Sequence, residues 1–373
     1  MAFLVINLIL FILSFFNNKL FFKLSLFIVF LYCSFTYGRG YDWINYYDYY
    51  NSIGYGSSTM PFEPGYYYLM VVFSAMGLPF SILIFCTTIF FFVVIYVFCN
   101  RTENPSLNFF TVFSFMGFFM FSEQIRQGMA VCIIMLSIPY FERGEKKKAV
   151  LFVFFAMLFH VSAVFCFLYF SIMKVGGRFG KLKFISGSLI FVILALYAWN
   201  NPGVLSFIPF LYDKMSAYNQ SYGEDAASII KIFLSKAAFI YIFVFVLCFL
   251  FLRSGGGREI DRAIKSSFFM ILTKLTFFLA RFQFYAVPTL IIGLDHYFAN
   301  KGTGGKVSIY KTAYLIVIFL ISLVPYWSPI YTRSLASPLY MTSSKSDIEK
   351  TIGRRCSDLF NYDKENNAIR RCL

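Results

Sequence analysis

Apolar runs recur along nearly the whole chain, and they limit the solvent in which it can fold. Of the 373 residues, 59% are hydrophobic, 52 are phenylalanine and only 14% are charged. A soluble domain carries about 25% charged residues, so this composition is typical of a polytopic membrane protein. One helical crossing needs roughly 20 apolar residues, and fewer where helices are short or broken, so we expect about ten to twelve transmembrane helices. The predicted fold class is an all-α polytopic membrane protein.

The charged residues and the cysteines argue against several other classes. The formal net charge is +15, which in a soluble protein would suggest nucleic acid as a partner. Here the Lys and Arg residues are concentrated in short loops between apolar runs, so we expect membrane lipids as their partner and no nucleic acid. The eight cysteines have neither the spacing of a disulfide scaffold nor that of a zinc site.

The charge of the loops predicts a topology. Four loops rich in Lys and Arg belong in the cytoplasm by the positive-inside rule, namely 142–148, 174–183, 253–265 and 300–311. Two segments in which acidic residues outnumber basic ones, 38–65 and 200–227, are predicted outer loops. Residues 1–341 are interpreted as a single integral membrane domain. The remainder, 342–373, has mixed charge and is interpreted as a cytoplasmic tail.

Two apolar segments do not fit a full crossing and are predicted to form short re-entrant helices. Segment 149–172 could form one span, but both of its flanking loops are predicted to be cytoplasmic. The simplest solution is two short helices that enter and return, with a break at Phe159 to Ser162. Segment 66–78 is only thirteen residues long, and we interpret it as a short re-entrant or interfacial helix.

This topology brings five polar residues from distant parts of the chain to the outer side, namely Asp42, Glu63, Arg126, His160 and Arg281. Ionisable groups in or beside spans are costly and usually mark a functional path. Guanidinium groups suit bidentate binding of phosphate or carboxylate, and a histidine there could act as a base. The alternatives stay open, because boundary arginines also extend to lipid headgroups, and buried histidines and interfacial tyrosines often have structural roles.

Several motifs of nucleotide and metal enzymes are absent from the sequence. There is no Walker lysine loop, no HExxH, no GxSxG and no paired-aspartate metal motif. We therefore expect no cofactor and no metal site.

Five short motifs occur in a fixed order along residues 39–285, namely RGYDW, EPGYYYL, EQIRQGMA, FHVSA and ARFQFY. In this order the chain resembles the EpsG/Wzy-like polysaccharide polymerases, and after Tyr285 only the hydropathy is similar. The resemblance implies a GT-C-type membrane glycosyltransferase at the outer face of the bacterial inner, cytoplasmic membrane. Such enzymes join oligosaccharide repeat units carried on undecaprenyl diphosphate into O-antigen, capsule or exopolysaccharide. A chain-length regulator and a flippase are implied as further partners.

The hypothesis for the site combines this resemblance with the predicted convergence. Arg126 and Arg281 are assigned to the diphosphate, with Gln127 and Tyr285 as supporting residues. His160 is assigned as general base or positioning group, and Asp42 and Glu63 are assigned to orient sugar or share the role of base. The predicted substrate-binding set is completed by Arg39, Tyr46 and Glu123.

Two other classes of protein stay open as alternatives. A lipid-linked oligosaccharide flippase would also be basic and polytopic, but it needs charged residues along a path between the leaflets. An O-antigen ligase has related chemistry and a different acceptor.

Overall fold

The computed structural model describes residues 2–53, 62–173, 177–207, 212–213, 215–216, 236–253, 258–274, 279–300, 305–362 and 372. Within these ranges the protein is helical almost throughout, and the β structure is one pair of two-residue strands. The all-α part of the fold prediction is therefore confirmed.

The first half of the chain forms ten helices and one strand within the described residues. In chain order they are α1 Ala2–Leu13, α2 Lys19–Phe35, β1 Thr36–Tyr37, α3 Asp42–Ser52, α4 Pro64–Ala75, α5 Phe80–Cys99, α6 Pro105–Met116, α7 Ile125–Glu142, α8 Lys146–Met157, α9 Phe165–Met173 and α10 Gly177–Asn200. A π-helical turn, Phe119–Glu123, follows α6, and 3-10 turns occupy Val161–Val164 and Pro202–Leu205.

The second half continues with the same architecture. Its elements are α11 Lys236–Arg253, α12 Arg258–Lys274, α13 Gln283–Asn300, α14 Gly305–Ser322, α15 Pro329–Ala336, β2 Leu339–Tyr340 and α16 Lys345–Tyr362. Two further 3-10 turns occupy Leu279–Arg281 and Val324–Trp327.

Helix α6 lies at the centre of the helical core. All twelve of its residues are buried, including the polar residues Ser106, Asn108, Thr111 and Ser114. It packs against α1, α2, α5, α13 and α14. Its first turn is held by Asp295 of α13, whose carboxylate accepts hydrogen bonds from the backbone N–H groups of Glu103 and Asn104 and from the amides of Asn104 and Asn108.

Membrane-length helices are fewer than the sequence predicts. Among the described residues, two helices are both long and apolar enough to cross a membrane, Phe80–Cys99 and Leu182–Asn200. Other apolar helices are shorter, such as Ala2–Leu13 and Ile309–Ser322. The expected ten to twelve spans and the GT-C-like architecture therefore stay predictions.

The break in segment 149–172 is present where the sequence predicts it. Helix α8 ends at Met157, and α9 begins at Phe165 after a 3-10 turn. The rings of Phe154 and Phe167 lie 5.3 Å apart, although a continuous helix would separate two residues at this spacing by roughly 20 Å. The two short helices therefore fold back on each other, and His160 lies at the bend. The predicted short helix in segment 66–78 is α4, and its position relative to the membrane stays a prediction.

The C-terminal segment contacts the start of the first predicted outer loop. Strand β2 pairs with β1 in antiparallel register, Thr36 opposite Tyr340, and Arg355 of α16 donates to the carbonyl oxygens of Ser334 and Ser337 and, at 3.5 Å, of Gly38. Strand β2 and helix α16 therefore pack against the start of the 38–65 loop. The cytoplasmic side predicted for the tail and the outer side predicted for this loop stay predictions.

One pair of cysteines also differs from the expectation. Cys356 of α16 forms a disulfide bond with Cys372. The other six cysteines are free, so the absence of a disulfide scaffold holds for the helical core but not for the tail. Most of the predicted outer loop 200–227 lies outside the described residues.

Candidate functional site

A tight turn after β1 positions the first acidic residue of the site. Gly40 has a φ of +86°, and a Cβ at this position would overlap the Glu123 carboxylate. That carboxylate accepts a hydrogen bond of 2.6 Å from the backbone N–H of Tyr41, and it also interacts with the N–H of Asp42. Glu123 thus holds the first turn of α3, and Asp42 projects from this fixed turn.

Arg126, in the first turn of α7, is held by groups from two other segments. Its guanidinium forms an ion pair with Glu63, the residue directly before α4. Its Nε donates to the Tyr46 hydroxyl at 3.3 Å, and the Phe62 ring centre lies 4.7 Å from the guanidinium carbon. A carboxylate and an aromatic face together fix the charge in one orientation.

His160 is tied to α13 through a chain of hydroxyl groups. Its Nδ1 accepts the backbone N–H of Ser162 at 3.2 Å and lies 2.6 Å from the Ser162 hydroxyl. The Ser162 hydroxyl in turn lies 2.9 Å from the hydroxyl of Tyr285. Because a backbone N–H can only donate, Nδ1 is the acceptor, and a neutral imidazole then carries its proton on Nε2.

The bend that carries His160 also touches the arginine site. The second oxygen of Glu63 accepts the backbone N–H of Val161 at 3.4 Å, and the backbone N–H of Gly65 donates to the carbonyl oxygen of Leu158 at 2.7 Å. A Cβ on Gly65 would come within 2.8 Å of that carbonyl oxygen. The start of α4 therefore joins the Arg126 ion pair to the bend.

Arg281 enters the site from the 3-10 turn before α13. Gln127 donates to its carbonyl oxygen at 2.6 Å, which connects this turn to α7. Burial raises the pKa of the Asp42 carboxyl, and the nearby guanidinium groups of Arg281 and Arg126 lower it in part. Both arginines are thus within electrostatic reach of one carboxylate.

The structure brings most of the sequence-predicted residues together. The assembled set consists of Asp42, Tyr46, Glu63, Arg126, Gln127, His160, Arg281 and Tyr285. Glu123 lies behind this set and contacts the backbone of α3. The sequence analysis did not identify Phe62 or the backbone of Val161 as part of the site. For Phe62, the available signal was an aromatic residue directly before an acidic one, Glu63.

Arg39 is placed differently from the other predicted residues. It is buried to 2% exposure, donates to Thr36 Oγ1 and to the Tyr32 carbonyl oxygen, and stacks on the Tyr32 ring. These contacts hold Arg39 at the end of α2 and account for its burial without a ligand. Within the described residues, no cluster of three His, Cys, Asp or Glu side chains could hold a metal ion.

A comparison with protein families gives the classification. A model of the EpsG family matches residues 18–336, which is most of the chain. The chain belongs to the EpsG family. This is the family of Wzy-like polysaccharide polymerases, so the resemblance seen in the five motifs is confirmed. No curated protein and no solved structure matches the chain significantly.

EpsG membership carries a general functional conclusion. The family acts in polysaccharide biosynthesis with a glycosyltransferase-like polymerase activity. Together with the two membrane-length apolar helices, membership indicates a membrane protein. The matched range includes every residue of the assembled site and ends at the last residue of α15.

Proposed function

We propose that this EpsG-family protein polymerises oligosaccharide repeat units carried on undecaprenyl diphosphate into a surface polysaccharide, either O-antigen, capsule or exopolysaccharide. It does so as a multi-pass protein at the outer face of the bacterial inner membrane. The observation that carries this proposal is the convergence of the Arg126–Glu63 ion pair, the His160 bend and the Arg281 turn in one cluster, with Asp42 in electrostatic range of both arginines. A carboxylate near two cations is suited to transfer from a diphosphate leaving group.

The proposed transfer is a single displacement at a sugar carbon. The bond between C1 of the growing chain and the diphosphate oxygen breaks, and a bond from C1 to a hydroxyl oxygen of the incoming unit forms. The hydroxyl proton passes to the base, and the electron pair stays on undecaprenyl diphosphate. Arg126 and Arg281 stabilise the negative charge that develops there, which is typically the largest catalytic contribution. We propose that no metal is needed, because the guanidinium pair supplies the positive charge.

Asp42 is the better candidate for the base. Glu63 is engaged by Arg126 and by the Val161 N–H. The neutral form of His160 carries its proton on Nε2, because Nδ1 accepts a hydrogen bond, so Nε2 is suited to donate a hydrogen bond to a substrate oxygen rather than to remove a proton. We therefore assign His160 as the positioning group, held by Ser162 and Tyr285.

Tyr46 and Gln127 support the arginines and complete the binding set. A chain-length regulator and a flippase would act with the polymerase in the cell. The flippase and ligase alternatives are less well supported. The polar groups gather in one cluster, whereas a flippase needs them along a path, and nothing in the cluster favours a ligase acceptor over a second repeat unit.

The test is the length of the surface glycan after deletion of the gene and complementation. We expect the wild type to restore a ladder of lengths and Arg126→Ala and Arg281→Ala to leave a single capped repeat unit. Arg101→Ala removes an exposed arginine at another helix end and is the matched control, with a full ladder expected. Full-length polymer from inserted Arg126→Ala and Arg281→Ala proteins would refute the assignment. Loss of even the single unit on deletion would indicate a flippase or a ligase.

A further inference from the structure

The turn that carries Asp42 is supported from two sides. On one side, the Glu123 carboxylate accepts the backbone N–H of Tyr41 at 2.6 Å. On the other side lies the C-terminal part of the chain, since β2 pairs with β1 directly before the turn and Arg355 of α16 lies next to it. Helix α16 begins after the range 18–336 that matches the EpsG model. Family membership therefore does not account for this second support.

A single guanidinium group joins three segments there. Nη2 of Arg355 donates to the carbonyl oxygens of Ser334 and Ser337 at 2.9 and 3.0 Å, and the carbonyl oxygen of Gly38 is 3.5 Å away. The guanidinium carbon lies 5.8 Å from the centre of the Tyr41 ring, within the range of a cation–π contact. The side chain is buried to 2% exposure. Arg355 thus links α16 and the end of α15 to the turn before α3.

Tyr41 transmits this support to Asp42, its neighbour in the chain. The Tyr41 hydroxyl donates to the Ile330 carbonyl oxygen at 3.4 Å, and the Tyr41 and Tyr331 ring centres are 6.3 Å apart. The Tyr41 side chain therefore packs against α15 and α16, while its backbone N–H is bound to Glu123. A shift of Tyr41 would move the first residue of α3, which is Asp42.

Arg355 is a buried cation outside any ion pair. Among the described residues, the ion pairs do not include it, although the Glu123 carboxylate lies within its electrostatic range. A buried charge is costly, and an apolar side chain of similar size often fills such a place without loss of stability. The charge has a use next to Glu123, because the Glu123 and Asp42 carboxylates repel each other and a nearby cation offsets that repulsion.

We propose that Arg355 is a positioning residue for the transfer reaction: it holds the turn 38–41 and gives Glu123 a counter-charge, so that Asp42 keeps the orientation in which it accepts the proton of the acceptor hydroxyl. The inference rests on the proposed function, in which Asp42 is the base. Arg355 acts through Glu123 and Tyr41. Helix α16 thereby contributes to the site from outside the family-matched range.

The first test separates kcat from KM for polymer formation by purified protein in nanodiscs. The substrate is the undecaprenyl-diphosphate-linked unit extracted from the deletion strain. We expect Arg355→Met to lower kcat about tenfold or more and to leave KM unchanged, because a small misplacement of a base slows the chemical step. Arg355→Lys keeps the charge without the planar fork and should recover part of this kcat.

Arg333→Met is the matched control for this test. Arg333 forms an ion pair with Asp358 that joins α15 to α16 at the surface, so its loss should leave the wild-type kcat. An unchanged kcat in Arg355→Met, or a raised KM at unchanged kcat, would overturn the proposal.

The second test observes the turn without any substrate. Trp43, next to Asp42, is buried to 1% exposure, and its indole N–H donates to the Gly40 carbonyl oxygen at 3.2 Å. Trp199→Phe and Trp327→Phe together leave Trp43 as the only one of the three tryptophans. We expect Arg355→Met to raise the acrylamide quenching of Trp43 fluorescence roughly twofold or more, because a loosened turn opens locally. Arg333→Met should leave it unchanged, and a loss of kcat in Arg355→Met with unchanged quenching would refute positioning through the turn.

The proposed function and this inference can fail separately. If the wild-type protein forms no polymer from the extracted units, the proposed function fails, and the quenching of Trp43 alone decides whether Arg355 holds the turn. If the wild type forms polymer and Arg355→Met matches it in kcat and in quenching, only this inference is refuted. Should Arg355→Met give no folded protein, Arg355→Lys decides by the same two measurements. A kcat roughly threefold lower is then expected, and wild-type values in both would refute the proposal.

Discussion

Removal of the Glu63 carboxylate should destabilise the protein through Arg126. The side chains of Glu63 and Arg126 are exposed to only 3% and 15%, so the pair is largely buried. Loss of one partner of a buried ion pair typically costs about 3–5 kcal/mol. The rings of Phe62 and Tyr46, 4.7 and 5.4 Å from the guanidinium carbon, remain and offset part of this cost. We therefore expect Glu63→Gln to cost about 3 kcal/mol.

The expected shift in Tm follows from this loss of stability and from the length of the chain. Unfolding entropy grows with length, so 1 kcal/mol shifts the Tm by roughly 2–4 °C in a domain of about 200 residues and by less in a longer chain. For 373 residues we expect Glu63→Gln to lower the Tm by roughly 5 °C. The assay is thermal unfolding of purified protein in nanodiscs, followed by tryptophan fluorescence.

A double-mutant cycle isolates the pair from other effects of either substitution. Glu63→Gln, Arg126→Gln and the double variant are compared with the wild type, and the double variant should lose about 2 kcal/mol less than the sum of the single losses. Strict additivity would mean that the ion pair does not operate, and the reasoning would be refuted. All three variants should fail to form polymer, because Arg126 would be absent or no longer oriented.

Four further predictions test other parts of the structure. Gly40→Ala should prevent stable folding, because its φ is +86° and its Cβ would meet a carboxylate, and the yield of monodisperse protein checks this. Gly353→Ala, in open space within a helix, should instead raise the Tm slightly in thermal unfolding. Asp295→Ala should lower the free energy of unfolding by about 3 kcal/mol or more, since four hydrogen bonds to its carboxylate are lost. Asp295→Asn should lose less stability in the same thermal unfolding assay. If Asp42 is the base, the in vitro polymerisation rate should fall as the pH drops through the pKa of Asp42. Because burial raises that pKa, the fall should occur at a higher pH than for an ordinary aspartate. A pH profile without this inflection would exclude Asp42 as the base. An alkaline phosphatase fused to the C-terminus is active only on the outer side of the membrane. Because β2 pairs with β1, we expect an active fusion if the 38–65 loop is outside. An inactive fusion would place both the tail and the start of this loop in the cytoplasm.

The site was partly predictable because several of its residues are polar or charged within otherwise apolar runs. Arg126 and His160 interrupt apolar runs, and such interruptions are visible in the sequence without any knowledge of contacts. The bend at His160 was also predictable, since the flanking basic loops did not allow a single crossing of segment 149–172. The role of Glu123 was not predictable, because whether a carboxylate meets a ligand or a backbone N–H depends on a turn more than eighty residues earlier in the chain.

The tail forms a contact that the charge rule does not address. Its side was assigned from a small difference between basic and acidic residues, and the structure adds a two-residue strand pair, Thr36 with Tyr340, that joins it to the start of the 38–65 loop. A strand of two residues has no detectable periodicity, so the sequence alone does not predict this pairing.

By itself, the sequence predicted a helical membrane protein of this family and named most of the polar residues that the structure brings together. These properties follow from composition and from short motifs, which are local along the chain. Only the tertiary structure decided which of these residues meet. Arg126 forms an ion pair with Glu63, and Nδ1 of His160 accepts a hydrogen bond from Ser162. Arg39 is buried against the end of α2, and β2 near the tail pairs with β1. Such contacts join residues far apart in sequence, and their energies depend on distance and burial, which no local pattern encodes.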